Sequence, residues 1–205
     1  MTTSKKLLAQ AAAEVGYREG AGNSNKYGAW YGLNEQDWCL IFICWCAHSA
    51  GISGTVIPKM AWCPAFMSWF EQQGRLILRG SGQARPGDIV FFDNNGNGVC
   101  DHVGIVEQWT AGKLHTIEGN RANSVARAAY RQTDEHILGY GRPKYQQEDE
   151  QMQIQKKKVY INGRERELHM IFIEGENFPA LREIVAALGG KVDYRETEKR
   201  IEITI

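Results

Sequence analysis

At 205 residues the chain is long enough for one domain with a full core plus a smaller module. Its 24 Lys+Arg balance 24 Asp+Glu, so it carries no electrostatic footprint for nucleic acid. No apolar run approaches a membrane span, since Leu40–Ala47 covers eight residues and includes two cysteines.

In chain order, residues 4–15 read as an amphipathic helix, with Leu7, Leu8, Ala11, Ala12 and Val15 at helical spacing. No long apolar stretch of the signal-peptide kind occurs there, so the expectation is synthesis in the cytoplasm and release by another component. Gly16–Gly32 is rich in Gly, Asn and Tyr and reads as a structured loop. Trp38–Ala50 is apolar and bounded by Gly51, which predicts a buried helix with a glycine stop. Pro64–Gln73 predicts a second short helix closed by Gly74.

Arg85-Pro86-Gly87-Asp88 is turn chemistry and leads into Ile89-Val90-Phe91-Phe92, a buried strand. His102–Glu107 and Lys113–Glu118 follow as strands joined by a turn, and a further short strand is expected near Ile137–Tyr140. Helices first and an antiparallel sheet afterwards make the fold class α+β. Residues 146–158 are polar and without periodicity, and read as a linker between a domain at 1–145 and a small α+β module at 159–205. In that module Asn162-Gly163 signals a hairpin. Pro179–Leu188 reads as a helix stopped by Gly189. About 50 residues is marginal for a self-standing core. The module is therefore expected to lean on the first domain or on a second copy, which makes a homo-oligomer a candidate state.

Five cysteines, at 39, 44, 46, 63 and 100, do not resemble a disulfide scaffold, and reduced thiols fit better. Cys39 stands where polar Gln36-Asp37 gives way to the apolar run. At a helix start, free N–H groups and the dipole favour a thiolate. His102 sits on a strand, and Glu118 and Asn120 share a face at the end of the next. A hairpin centred near Thr110 would place Glu118 opposite His102, and a register slipped by two would offer Asn120. Either residue could fix the imidazole tautomer and leave its other nitrogen for the thiol. Nucleophile, base and orienting group together point to acyl transfer on an amide. Trp38, Trp30, Tyr27 and Gln36 are the expected walls of a substrate groove.

Metal is not expected. Cys39, Cys44, Cys46 and His48 would be spread around one helix, and no Cys-x-x-Cys pair occurs. The loop Asn23-Ser24-Asn25-Lys26-Tyr27 lacks the carboxylates of a tight Ca²⁺ site.

Residues 5–145 resemble a CHAP domain, a cysteine- and histidine-dependent amidohydrolase/peptidase of the NlpC/P60-like, papain-like superfamily. The matching stretches are Glu14–Tyr17, Asn25–Gly28, Trp38-Cys39 with its apolar continuation, Pro86–Phe92, Asp101–Val106 and Ile117–Asn120, in that family's order. The resemblance implies helices packed on an antiparallel sheet, Cys39 as nucleophile, His102 as base, and Glu118 with Asn120 ordering His102. It implies a peptidoglycan substrate, cut at the sugar–peptide amide or within the peptide, and no cofactor. Some members hold Ca²⁺ in an acidic loop before the cysteine, where this chain has Asn23 and Asn25. The tail resembles a small repeat found at the N-terminus of some copper amine oxidase-like bacterial surface proteins, on Val159–Gly163, Phe178–Glu183 and Ala187–Gly190. That likeness implies wall binding or self-association and no copper chemistry. The order of the two modules resembles a phage endolysin. The alternatives are a wall- or partner-binding protein on a degenerate hydrolase scaffold, and a papain-like protease acting on proteins.

Overall fold

The apolar stripe of the first segment forms α1, Thr3–Ala13, whose Leu7 and Ala11 are fully buried one turn apart. The computed structural model describes residues 3–54, 56–81, 83–131, 133–145, 153–161, 164–172, 185–186, 189–195 and 200–204. Within the stretch read as a loop, a short helix forms, α2 at Lys26–Tyr31. Asn25 starts it, its side-chain oxygen accepting from the Gly28 N–H at 2.7 Å. Composition hid this helix, because the cap and not hydrophobic periodicity defines it.

Helix α3, Cys39–Ser49, is apolar on nearly every face and runs through the core. Helix α4, Cys63–Gln72, starts at Cys63 with Pro64 in its first turn and buries Phe66 and Phe70. Both begin within one residue of their sequence prediction.

Six strands form one antiparallel sheet: β1 Leu76–Leu78, β2 Ile89–Phe92, β3 His102–Thr110, β4 Lys113–Glu118, β5 Ala126–Arg131 and β6 Ile137–Gly141. Their order is β1-β6-β2-β3-β4-β5. The fold is α+β as expected. Strands β1 and β5 are additions at the two edges. Neither had a sequence signal, since β1 has three residues and β5 exposes every second side chain. Central β2 is buried on both faces. Ile89 and Phe91 join Val103, Ile105 and Ile117 in the main cluster with the helices. Val90 and Phe92 join Val106, Leu114 and Ile137 in a second cluster on the other face.

The hairpin joining β3 and β4 turns at Ala111-Gly112, both in the left-handed region, with Thr110 paired to Lys113. Glu107 bulges out between Val106–Thr116 and Gln108–His115. Turn and bulge set the register two residues away from one centred on Thr110. Ile105 pairs with Ile117, which brings Glu118 to Gly104 rather than to His102.

The chain divides into two units, residues 1–147 and 148–205. The second is a four-stranded sheet of β7 Gln153–Ile161, β8 Arg164–Phe172, β9 Lys191–Arg195 and β10 Arg200–Thr204, ordered β8-β7-β10-β9. Strand β7 pairs antiparallel with β8 and parallel with β10. The end of the stretch read as linker, Gln153–Lys158, is therefore strand. Its ladder with β8 supplies order that its polar composition does not signal. The Asn162-Gly163 turn and most of the helix expected over Pro179–Leu188 lie outside the described residues, though Val185 and Ala186 are helical.

Candidate active site

Cys39 is the first residue of α3, and its thiol is near enough to Cys63 and to His102 for both to lower it. The Cys63 sulfur is 3.7 Å away. These contacts arise because α3 and α4 begin beside the first residue of β3, an interior strand of the sheet. The Cys63 hydrogen bond is the largest influence on Cys39. The positive His102 ring and the Leu40 N–H add to it, and together they outweigh burial and hold the thiol down at about 5. Burial pushes the other α3 thiols up, Cys44 to about 11 and Cys46 well above the usual range. That contrast separates the candidate nucleophile from two packing residues on the same helix.

His102 Nε2 lies 3.0 Å from Glu118 Oε2. With Glu118 ionised, Nε2–H donates, and Nδ1 is the nitrogen left for sulfur. Burial disfavours the imidazolium. The Cys39 and Glu118 hydrogen bonds and charges reverse that, raising His102 to about 10. At neutral pH the pair is a thiolate and an imidazolium.

Glu118 is wholly buried and bonds four donors. Besides His102 these are the Thr116 hydroxyl at 2.5 Å, the Tyr130 hydroxyl at 2.8 Å and Arg121 Nη1 at 3.1 Å. Burial alone would protonate the carboxyl, but His102 and the hydroxyls hold it below its ordinary value. Thr116 shares a face with Glu118 by strand alternation and is legible in sequence on that ground. Tyr130 comes from β5, for which no strand signal existed, so its contribution was invisible.

Gly104 explains how Glu118 reaches His102 from a diagonal position. A Cβ on Gly104 would stand 2.7 Å from Glu118 Cγ, so only glycine leaves the carboxylate arm room to lean across. Asn120, the other expected partner of the imidazole, is placed elsewhere. Its backbone is left-handed, at φ 57°, which breaks the strand alternation. Its amide donates to Asp37 Oδ1 at 3.1 Å.

The thiol opens into a groove of ≈ 680 Å³ whose lining includes Gln36, Asp37, Trp62, Val99 and Asp101. Of the four expected wall residues only Gln36 lines it. Trp38 is fully buried, its indole N–H donating to Glu19 and its ring stacked on Tyr27 at 5.1 Å. Tyr27 is also fully buried, its hydroxyl donating to Glu14 Oε2 at 2.6 Å. Core packing claims both rings, because each has an internal acceptor for its polar edge. Trp30 packs on His48 at 5.1 Å, under the Lys59 ammonium. The aromatic wall is instead Trp62, 69% exposed and beside Cys63. Its position just before α4 was the available signal.

Among the described residues no group of three or more His, Cys, Asp or Glu could hold a metal ion. In the Asn23–Tyr27 loop Asn25 is committed to capping α2, and its amide donates to the Asn23 carbonyl at 2.7 Å.

Residues 30–120 match the family model of the CHAP domain. That span contains Cys39, His102 and Glu118. No curated protein matches the chain. Among solved structures, the chain is similar to Ly7917, at 21% identity and a TM-score of 0.45, covering 69% of this chain and 62% of that one. It is similar to a lipoprotein-like protein of the NLP/P60 family from Staphylococcus aureus subsp. aureus Mu50, at 20% identity and a TM-score of 0.41, covering 68% and 41%. It is also similar to PlyC, at 16% identity and a TM-score of 0.43, covering 68% and 35%. The chain thus spans less than two thirds of the length of each.

Proposed function

We propose that the protein is a cysteine-dependent peptidoglycan hydrolase that cleaves an amide of the bacterial cell wall, as an N-acetylmuramoyl-L-alanine amidase or a peptidoglycan endopeptidase. The observation that carries this reading is a Cys39 thiolate lining an open groove and backed by the His102–Glu118 pair, inside the segment that matches the CHAP domain.

In this reading the Cys39 thiolate attacks the scissile carbonyl carbon. Backbone N–H groups at the start of α3 face the developing oxyanion. His102, already protonated, gives its Nδ1 proton to the leaving amine as the tetrahedral intermediate collapses to a thioester. The neutral ring then takes a proton from water, whose oxygen attacks the thioester and releases Cys39. Glu118 stays ionised throughout and holds the ring by Nε2. The exposed Trp62 face offers a flat apolar surface for a sugar ring or peptide backbone, and Asp37 and Asp101 give the groove negative charge. The second unit serves in this reading as a wall-binding or self-association module.

Mass spectrometry of fragments released from purified Gram-positive peptidoglycan tests the proposal. Wild-type protein should release fragments whose new termini name the bond, and Cys39→Ala should release none while keeping its fold. Release by Cys39→Ala, or none by the wild type across several wall chemistries, would overturn it.

A further inference from the structure

The reaction proposed above uses one thiol, yet three line the same groove. The Cys63 sulfur lies 3.7 Å from that of Cys39, and Cys100 on its other side, with Cys39, pushes the Cys63 thiol up. The Cys100 thiol also donates to the His102 carbonyl oxygen at 3.4 Å. All three line the groove, and all are free thiols. Cys44 is held differently, with its sulfur against the Pro58 and Met60 carbonyl oxygens at 3.4 and 3.2 Å. Neither Cys44 nor Cys46 reaches the groove.

A groove-lining thiolate is the group a hydroperoxide oxidises first, and without a neighbouring thiol it proceeds to an irreversible sulfinic acid. Here a second thiol is in contact and a third stands behind it. We propose that Cys63 and Cys100 form an oxidation-relief pair: Cys63 captures oxidised Cys39 as a disulfide, and Cys100 then displaces Cys39 and returns it as a thiolate.

The steps balance with a hydroperoxide as oxidant. Cys39 sulfur attacks the peroxide, forming S–O and breaking O–O, and hydroxide leaves. Cys63 sulfur attacks the resulting sulfenic acid, forming S–S and breaking S–O. The hydroxyl departs as water with the Cys63 proton. Cys100 sulfur then attacks Cys63, forming a second S–S bond while Cys39 leaves with the electron pair. The Cys100 proton neutralises the hydroxide from the first step. The two electrons that reduce the peroxide to water come from Cys63 and Cys100, and Cys39 ends as it began.

Distance and leaving-group order both favour this sequence. A disulfide is about 2.0 Å long, so Cys39 and Cys63 close by less than 2 Å from their 3.7 Å contact. Thiol exchange expels the sulfur that best carries negative charge. That sulfur is Cys39, which keeps the His102 ring and the Leu40 N–H after Cys63 is committed elsewhere.

The benefit to turnover rests on Cys39 being the nucleophile of the proposed hydrolase, but the sulfur chemistry does not. The test therefore reads sulfur directly. The full chain is exposed to equimolar hydrogen peroxide, quenched with N-ethylmaleimide and mapped by mass spectrometry over time. In the wild type a Cys63–Cys100 disulfide should accumulate while Cys39 remains alkylatable. Cys100→Ser should stop at Cys39–Cys63, reversed by dithiothreitol. Cys63→Ser should form Cys39 sulfinic acid about tenfold faster than the wild type. Sulfinic acid at Cys39 of the wild type in place of any disulfide would overturn the proposal, and so would a Cys39–Cys63 bond that never passes to Cys100. The wild-type map decides the question even where a serine variant fails to fold. If the map is as expected but the protein releases nothing from peptidoglycan, the hydrolase reading fails alone.

Discussion

The charge state of two side chains decides what this groove can do. Cys39 carries its proton only below about pH 5, because its folded value is lowered there. His102 keeps its proton up to about pH 10, because its folded value is raised. Falling pH therefore removes the nucleophile through about 5, and rising pH removes the proton for the leaving amine through about 10. Initial rates on peptidoglycan should trace a bell with those two limbs. Cys39 alkylation by iodoacetamide should rise through the lower limb alone. Glu118→Gln removes the carboxylate charge that raises His102 while conserving shape. It should move the alkaline limb to lower pH and cut kcat/KM by about a hundredfold. An unmoved alkaline limb in that variant would mean that Glu118 plays only a packing role. Cys39, His102 and Glu118 were legible because each type of group occurs where its chemistry needs it: a thiol at a helix start, and polar residues at strand ends. Trp62, Tyr130 and Arg121 were not, because their roles depend on which strands pair and on which ring has an internal partner.

Elements hold that charge line in place through a few close approaches. Helix α3 meets the end of β4 where Phe42 lies over Gly119. A Cβ on Gly119 would stand 2.5 Å from Phe42 Cβ, a contact real side chains do not make. Gly119→Ala should therefore cost about 1–3 kcal/mol by overpacking and displace α3 from Glu118. Thermal melting reads the stability loss, and Gly119→Ala combined with Phe42→Ala should cost less than the sum of the two single changes, because Phe42→Ala removes the Cγ and Cδ1 that stand 2.7 and 2.9 Å from that Cβ. Simple additivity in the double variant would place the strain elsewhere. Gly104→Ala is the complementary case, because its Cβ would press on Glu118 Cγ rather than on the core. Its loss should fall on kcat rather than on melting temperature. At this scale the sequence was most readable where periodicity was strong, as in α1, α3 and β2. It was least readable at α2, which is set by the Asn25 cap, and in the β3–β4 hairpin. There a one-residue bulge at Glu107 and a turn at Ala111-Gly112 shifted the register by two. Period-two alternation keeps the same face under such a slip, so Glu118 still pointed toward the imidazole although its opposite number changed.

Every group in the proposed chemistry comes from residues 36–130, within the first unit. The second unit has its own four-stranded sheet, closed by the parallel pairing of β7 with β10 across about forty residues of chain. On the proposed reading, in which the second unit serves wall binding or self-association, its removal should leave the chemistry of the first unit intact. Ending the chain after Gln147 should then leave the rate of Cys39 alkylation unchanged. It should also leave unchanged the identity of the fragments released at saturating enzyme. The effect should appear where binding matters: the shortened chain should sediment less with purified walls and need about tenfold more protein for the same release, since tethering a catalytic unit raises its effective concentration at the surface. A fall in alkylation rate would instead mean that the second unit supports the thiolate. Equal sedimentation would shift its role to self-association, which the mass of the full chain in solution then decides.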